Sequence, residues 1–121
     1  MPYTIDDYGQ ACVLVINGRF LGSIEREAMQ QTFDALIAEG RARLVIDLSK
    51  TDFMDSTGIG VLIQGIERLR EAGGEACLAG MQTRVKSLFV MTRLLGRMFD
   101  DYPTVEAALE HFAAPVASKQ E

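Results

Sequence analysis

Apolar residues in this chain fall into short unbroken runs that alternate with longer stretches of helical periodicity. The runs have the length and composition of strands buried on both faces, and they lie at 11–16, 44–48 and 75–79. Between and after them, apolar residues spaced three and four apart predict amphipathic helices. These helices are expected from Ser23, as a capping residue, to Gly40, from about Thr57 to Ala72, and from Gln82 to about Leu95.

Weaker patterns complete the predicted order of elements. A short edge strand is expected at 3–7, a last short strand at 97–100, and a final helix from Pro103 to Phe112. Strands alternating with helices indicate an α/β fold, with a mixed, mostly parallel β-sheet of four to five strands covered by about four helices. We expect one domain over 1–113 and a flexible tail over 114–121.

Charge and composition narrow the classes of protein. The chain has 121 residues and a formal net charge of −5, which disfavours direct binding to the phosphate backbone of nucleic acids. No apolar run is long enough to span a membrane, and no signal peptide is visible, so we expect a cytoplasmic protein. Cys12 and Cys77 lie in apolar runs and lack the spacing of a metal site, so we expect two buried free thiols.

The segment after the second buried run contains the most informative residues. The predicted strand 44–48 leads into a loop at 49–55, and a helix follows. Ser56 stands just before that helix, where a serine hydroxyl commonly caps a free backbone amide. A helix N-terminus also tolerates a phosphate group because it carries partial positive charge. From the residues alone, a plain helix cap is the favoured interpretation and a modification site is the alternative.

Neighbouring residues leave further interpretations open. Gly58 and Gly60 keep the first helical turn free of side chains, and their spacing matches only part of a dinucleotide-binding loop. Gly58, Val61 and Gly65 share one side of the helix, which suits either a partner surface or packing against another helix of the domain. The single histidine, His111, is distant in sequence from Ser56, so an enzymatic site is not indicated.

The motif around Ser56 resembles the signature of the STAS domain, the domain of sulphate transporters and anti-sigma-factor antagonists. The resemblance rests on DLS at 47–49 and FMDSTGIGVL at 53–62, with support from NGRF at 17–20, GG at 73–74 and VKSLF at 85–89. It implies that Ser56 is the phosphorylated residue, with Thr57 a weaker candidate. Together with the small residues on the following helix, it gives an expected set of loop and partner-binding residues, which are Asp55, Thr57, Gly58, Gly60, Val61 and Gly65.

The same resemblance implies a function as an anti-sigma-factor antagonist. The unphosphorylated chain would bind an anti-sigma factor that is also a Ser/Thr kinase, phosphorylation of Ser56 would end that binding, and a phosphatase would restore it. The chain would need no cofactor and would be a monomer when free. The alternative within the family is a constitutive scaffold or transport-complex subunit. The family often has G-E-[LF]-D where this chain has GRFLG at 18–22. The resemblance places that edge in the partner-binding surface, so the departure bears on which partner is bound. It leaves the residues of the serine loop at 53–58 unchanged.

Overall fold

The computed structural model describes residues 3–95 and 98–113, which form seven strands and four helices. The strands are β1 (Tyr3–Asp7), β2 (Cys12–Ile16), β3 (Gly18–Phe20), β4 (Arg43–Asp47), β5 (Thr51–Met54), β6 (Glu75–Ala79) and β7 (Asp101–Tyr102). The helices are α1 (Gly22–Ala38), α2 (Ser56–Glu71), α3 (Thr83–Met91) and α4 (Val105–Ala113). The expected tail at 114–121 lies outside the described residues.

The main sheet has five strands in the order β1-β2-β4-β6-β7. Strand β1 is antiparallel to β2, and the remaining neighbours are parallel. In the central register Leu14 lies beside Ile46, which in turn lies beside Leu78. The prediction of a mixed, mostly parallel sheet with about four helices is therefore confirmed.

Helices cover both faces of this sheet, which explains why its central strands are almost continuously apolar. Alternate residues of one strand enter two different cores, since side chains along a strand point to opposite faces. Leu14 belongs to the large core that α1, α2 and α3 cover, whereas Val13 belongs to the smaller core beneath α4. Cys12 and Cys77 are both buried and form no disulfide, as expected.

Two short strands were not predicted. Strands β3 and β5 pair in parallel as a separate two-stranded sheet, and β5 occupies most of the segment predicted as a loop at 49–55. Thr51 at its start is fully buried, and its hydroxyl donates a hydrogen bond to the carbonyl of Ile16 at 2.8 Å. A buried polar residue in so short a strand leaves no apolar run for sequence reasoning to detect.

Three predicted boundaries are wrong. Helix α1 begins at Gly22, and its N-cap residue Leu21 makes no side-chain cap, so Ser23 does not cap the helix. Helix α3 ends at Met91 rather than near Leu95, because Arg93 adopts a left-handed conformation with φ of 60°. The last strand lies at Asp101–Tyr102 rather than at 97–100, and position 97 is outside the described residues.

Helices α1 and α2 pack closely along a seam that small residues make possible. A Cβ atom at Gly65 would lie 2.4 Å from the ring of Phe33, and one at Gly58 would lie 2.8 Å from the carbonyl oxygen of Phe20. Val61, on the same side of α2, is 1% exposed. Gly58, Val61 and Gly65 therefore pack inside the domain. The interpretation of these three residues as an exposed partner surface is wrong.

None of the helices described over residues 3–95 and 98–113 is both long and apolar enough to cross a membrane.

The seam predicts unequal effects for the same substitution on one helix. Gly65→Ala should lower the free energy of unfolding by about 1–3 kcal/mol, because its methyl group overlaps the fully buried ring of Phe33. Gly60→Ala is the matched control, since a Cβ there meets no atom within 4 Å and alanine favours the helix by up to ~1 kcal/mol. Urea unfolding of both variants measures the difference, and equal stability would contradict this packing.

Candidate functional site

The serine that the sequence motif singled out is the first residue of α2. Strand β5 ends at Met54, and Asp55 follows in an extended conformation as the N-cap residue. The carboxylate of Asp55 accepts a hydrogen bond from the backbone amide of Gly58 at 2.7 Å. Asp55 therefore caps the helix. The interpretation of Ser56 as the capping residue is wrong by one position.

This assignment leaves the side chain of Ser56 without a structural task. Ser56 is exposed, and its hydroxyl has no hydrogen-bond partner among the residues that the structure describes. The hydroxyl also lies in the first turn of a 16-residue helix, where unpaired amides and the helix dipole favour negative charge. The cap and the exposed hydroxyl are thus separate groups on adjacent residues.

Asp55 contacts more than its own helix. Its Oδ1 atom accepts hydrogen bonds from the amide of Gly58, from the hydroxyl of Thr57 at 2.8 Å and from the amide of Gly22 at 3.1 Å. Gly22 is the first residue of α1, so one carboxylate oxygen connects the N-termini of two helices. Both helix dipoles favour a negative charge at this position.

The ionisation of Asp55 follows from these contacts. Partial burial acts to raise the pKa of this carboxyl group, but hydrogen bonds from Gly22, Thr57, Gly58 and its own amide outweigh that effect. The pKa of Asp55 consequently lies below its ordinary value. The residue that precedes Ser56 therefore carries a fixed negative charge at neutral pH.

Ser56 and Thr57 are not equivalent hydroxyl groups. Both residues are exposed, but the Thr57 hydroxyl donates a hydrogen bond to the Asp55 carboxylate, whereas the Ser56 hydroxyl makes no such bond to the described residues. Modification of Thr57 would remove a donor from the Asp55 carboxylate and leave that carboxylate beside a second negative group. Modification of Ser56 breaks no hydrogen bond of the cap.

The glycines of the first turn also differ from each other. Gly58 is buried against Phe20 and Met54, whereas a Cβ at Gly60 would meet no atom within 4 Å. Only Gly60 thus has the open side that the sequence suggested for both. Of the expected partner-binding residues, the structure places Asp55, Thr57 and Gly60 around Ser56 near the surface, and it buries Gly58, Val61 and Gly65.

The segment after β3 contacts the serine loop directly through Gly22. A Cβ atom at Gly22 would lie 2.2 Å from the carbonyl carbon of Thr57 and 2.6 Å from the amide nitrogen of Gly58. Sequence reasoning missed this contact because the hydrogen bond joins positions 33 residues apart. The available signal was the glycine itself, at the start of a helix where a better helix former would be expected.

The remaining chemistry-bearing side chains lie elsewhere. The His111 ring packs against Tyr102 at 5.4 Å and against Phe112 at 5.3 Å, on the α4 side of the sheet. No cluster of His, Cys, Asp and Glu residues within the described parts of the chain could hold a metal ion. The arrangement at Ser56 can accept a covalent group or contact a partner, and the structure brings no general base to its hydroxyl from the described residues.

The fold and this loop define a known class of domain. A sequence model of the STAS domain matches residues 3–108. The chain belongs to the STAS domain family, as the motif around Ser56 indicated.

Two of the similar proteins are described as anti-sigma factor antagonists. BtrV of Bordetella bronchiseptica, provisionally designated an anti-sigma factor antagonist, is 25% identical over 95 residues, which are 78% of this chain and 81% of BtrV. The crystal structure of an anti-sigma factor antagonist from Mycobacterium paratuberculosis has a TM-score of 0.80 at 25% identity, covering 93% of each chain. The phosphorylated form of the Bacillus cell fate determinant SpoIIAA has a TM-score of 0.68 at 19% identity, covering 90% of this chain and 97% of that one, and shares the fold.

The lowered pKa of Asp55 predicts how its contribution to stability depends on pH. Because the folded pKa is below the unfolded one, ionised Asp55 stabilises the fold above its unfolded pKa of ~3.9, and this contribution is lost as the pH falls through the folded pKa. Asp55→Ala should cost about 1–2 kcal/mol at neutral pH through loss of the cap.

Asp55→Asn is the control that isolates the charge, since it keeps a side-chain oxygen that can accept hydrogen bonds. Its stability difference from the wild type should shrink as the pH falls below ~3.9, and it should disappear once the pH has passed through the lowered folded pKa of Asp55 and the native carboxylate is protonated. Urea unfolding across this pH range measures both variants. A difference between Asp55→Asn and wild type that stayed constant from neutral to acidic pH would contradict the assignment.

Proposed function

We propose that this chain is an anti-sigma-factor antagonist that works as a phosphorylation switch at Ser56. The unphosphorylated chain binds an anti-sigma factor that is also an ATP-dependent Ser/Thr kinase. That kinase phosphorylates Ser56, the complex dissociates, and a phosphatase removes the phosphate. The chain acts by binding rather than by catalysis and needs no cofactor, because the ATP belongs to the kinase.

The observation that carries this proposal is the state of the Ser56 hydroxyl. It is exposed, it makes no hydrogen bond to the described residues, and the neighbouring Asp55 performs the capping that would otherwise occupy it. A kinase can therefore reach the hydroxyl without displacing an internal contact. The descriptions of BtrV and of the Mycobacterium protein as antagonists support the same function.

Phosphorylation at this position changes charge without loss of a hydrogen bond of the fold. A phosphate adds a charge of about −1.5 to −2, and the first turn of α2 offers it free amides. A partner in contact with Ser56 meets that charge beside the existing carboxylate of Asp55 and must desolvate both. A penalty of ~3 kcal/mol lowers affinity about a hundredfold, which is enough to end a micromolar complex.

Phosphorylation by the cognate kinase tests the proposal. Incubation with kinase and ATP should add one phosphate to the wild-type chain, as measured by intact mass, and Ser56→Ala should abolish the addition. Thr57→Val is the matched control and should still be phosphorylated, because its neighbour Ser56 keeps the free hydroxyl. A wild-type chain that is never phosphorylated, while still binding its partners, would favour the scaffold alternative.

Partner binding gives a second test. Ser56→Ala should bind the anti-sigma factor with an affinity within about threefold of the wild type, since the hydroxyl contributes no internal contact. Ser56→Asp should bind at least about tenfold more weakly, because it places a second carboxylate beside Asp55. Calorimetric titration of the unphosphorylated proteins measures both, and equal binding by Ser56→Asp and wild type would overturn the electrostatic mechanism.

A further inference from the structure

The N-terminal turn of α1 holds both neighbours of Ser56. The Gly22 amide donates a hydrogen bond to Asp55, and the Cα atom of Gly22 packs against the backbone of Thr57. Ser56 lies between these two residues in the chain. Its position relative to α1 is therefore fixed from both sides, although Ser56 itself makes no hydrogen bond to the described residues.

The closeness of this contact requires glycine at position 22. A Cβ atom there would lie 2.2 and 2.3 Å from the carbonyl carbon and oxygen of Thr57, and 2.6 Å from the amide nitrogen of Gly58. All three are backbone atoms of the first turn of α2, so no side-chain rotation can relieve the overlap. Any larger residue must move the start of α1 away from the serine loop.

We infer that Gly22 is a positioning residue for Ser56, which its contacts with Asp55 and Thr57 hold at a fixed place beside the start of α1. This inference rests on the proposed function and adds to it a residue that positions the phosphorylated hydroxyl without contacting it. A kinase that must align the Ser56 hydroxyl with the γ-phosphate of ATP depends on this alignment, since a shift of about 1 Å can cost about a hundredfold in rate.

A substitution that separates positioning from stability is available. Gly22→Ala should shift the serine loop, whereas Gly74→Ala is the matched control. A Cβ at Gly74 would lie 2.4 Å from the carbonyl oxygen of Ala42, a backbone overlap of similar severity. Gly74 immediately precedes β6, and Ala42 immediately precedes β4. Both residues therefore lie at the amino ends of these strands, whereas the serine loop begins on the side of the carboxyl ends.

The first measurement is the steady-state phosphorylation of each chain by the ATP-dependent kinase that modifies the wild type. It is made at a temperature where circular dichroism shows all chains folded. Gly22→Ala should lower kcat/KM by about tenfold or more, and Gly74→Ala should leave it within about twofold of the wild type. Equal values for Gly22→Ala and wild type, or equal losses in both variants, would overturn the inference.

A second readout does not use the kinase. Since the Gly22 amide contributes to the low pKa of Asp55, NMR titration of that carboxyl group should show a higher pKa in Gly22→Ala and an unchanged one in Gly74→Ala. An unchanged pKa in Gly22→Ala would show that the amide does not hold the carboxylate.

Asp55→Glu covers the case in which Gly22→Ala does not fold. It keeps the charge but moves the carboxylate by one methylene, so it should expose the Gly22 amide to hydrogen exchange and lower kcat/KM for phosphorylation. If that amide lost protection while kcat/KM stayed at the wild-type value, the positioning role would be wrong. Failure of the wild type itself to be phosphorylated would instead refute the proposed function, so the two failures are distinguishable.

Discussion

One carboxylate oxygen organises the region on which the rest of the site depends. Oδ1 of Asp55 accepts hydrogen bonds from the amide of Gly22 at the start of α1, from the amide of Gly58 in the first turn of α2 and from the hydroxyl of Thr57. Hydrogen bonds to an ionised group are worth more than neutral ones, about 1.5–3 kcal/mol before non-additivity. Three donors on one oxygen also outweigh the cost of partial burial, as the lowered pKa of Asp55 shows. One ionised carboxylate therefore connects the end of strand β5 to the first turns of both helices, next to the exposed serine.

In this structure the helix cap and the exposed hydroxyl belong to two residues, whereas the sequence pattern alone suggested that Ser56 has both roles. A serine before a helix is ordinarily a cap, and a capping hydroxyl would have to give up its bond on modification. Here Asp55 caps the helix and Ser56 begins it, so the hydroxyl is exposed without weakening the helix. The first turn still offers the favourable environment for negative charge that a cap position has. The fold can thus accept a phosphate that an opposing protein surface would have to desolvate.

Sequence reasoning succeeded where the physical signal is long and repeated. The apolar runs at β2, β4 and β6 and the periodicity of α2 located the sheet and its helices. The motif at 53–62 identified the STAS family. It failed where the signal is short or non-local. Strands β3 and β5 have three and four residues, and Asp and Ser are equally good caps, so one position could not be resolved. The contact between Gly22 and Asp55 joins distant positions and leaves no periodic trace.

The close packing at the glycines of α1 and α2 explains why the exposed site is limited to the first turn of α2. Close approach at Gly22 and Gly65 lets α1 cover one side of α2, and Gly58 packs against Phe20 of β3. The large core covers another side of α2. Gly58, Val61 and Gly65, which share one side of α2, are consequently buried. The exposed hydroxyl of Ser56 lies in the first turn of the same helix. Packed cores resist continuous deformation. We therefore expect a modification in the first turn of such a helix to leave the packing of α1 against α2 unchanged. For the proposed function, this confines the signal to a change of charge at Ser56, beside a carboxylate that is already ionised and held in place by both helices.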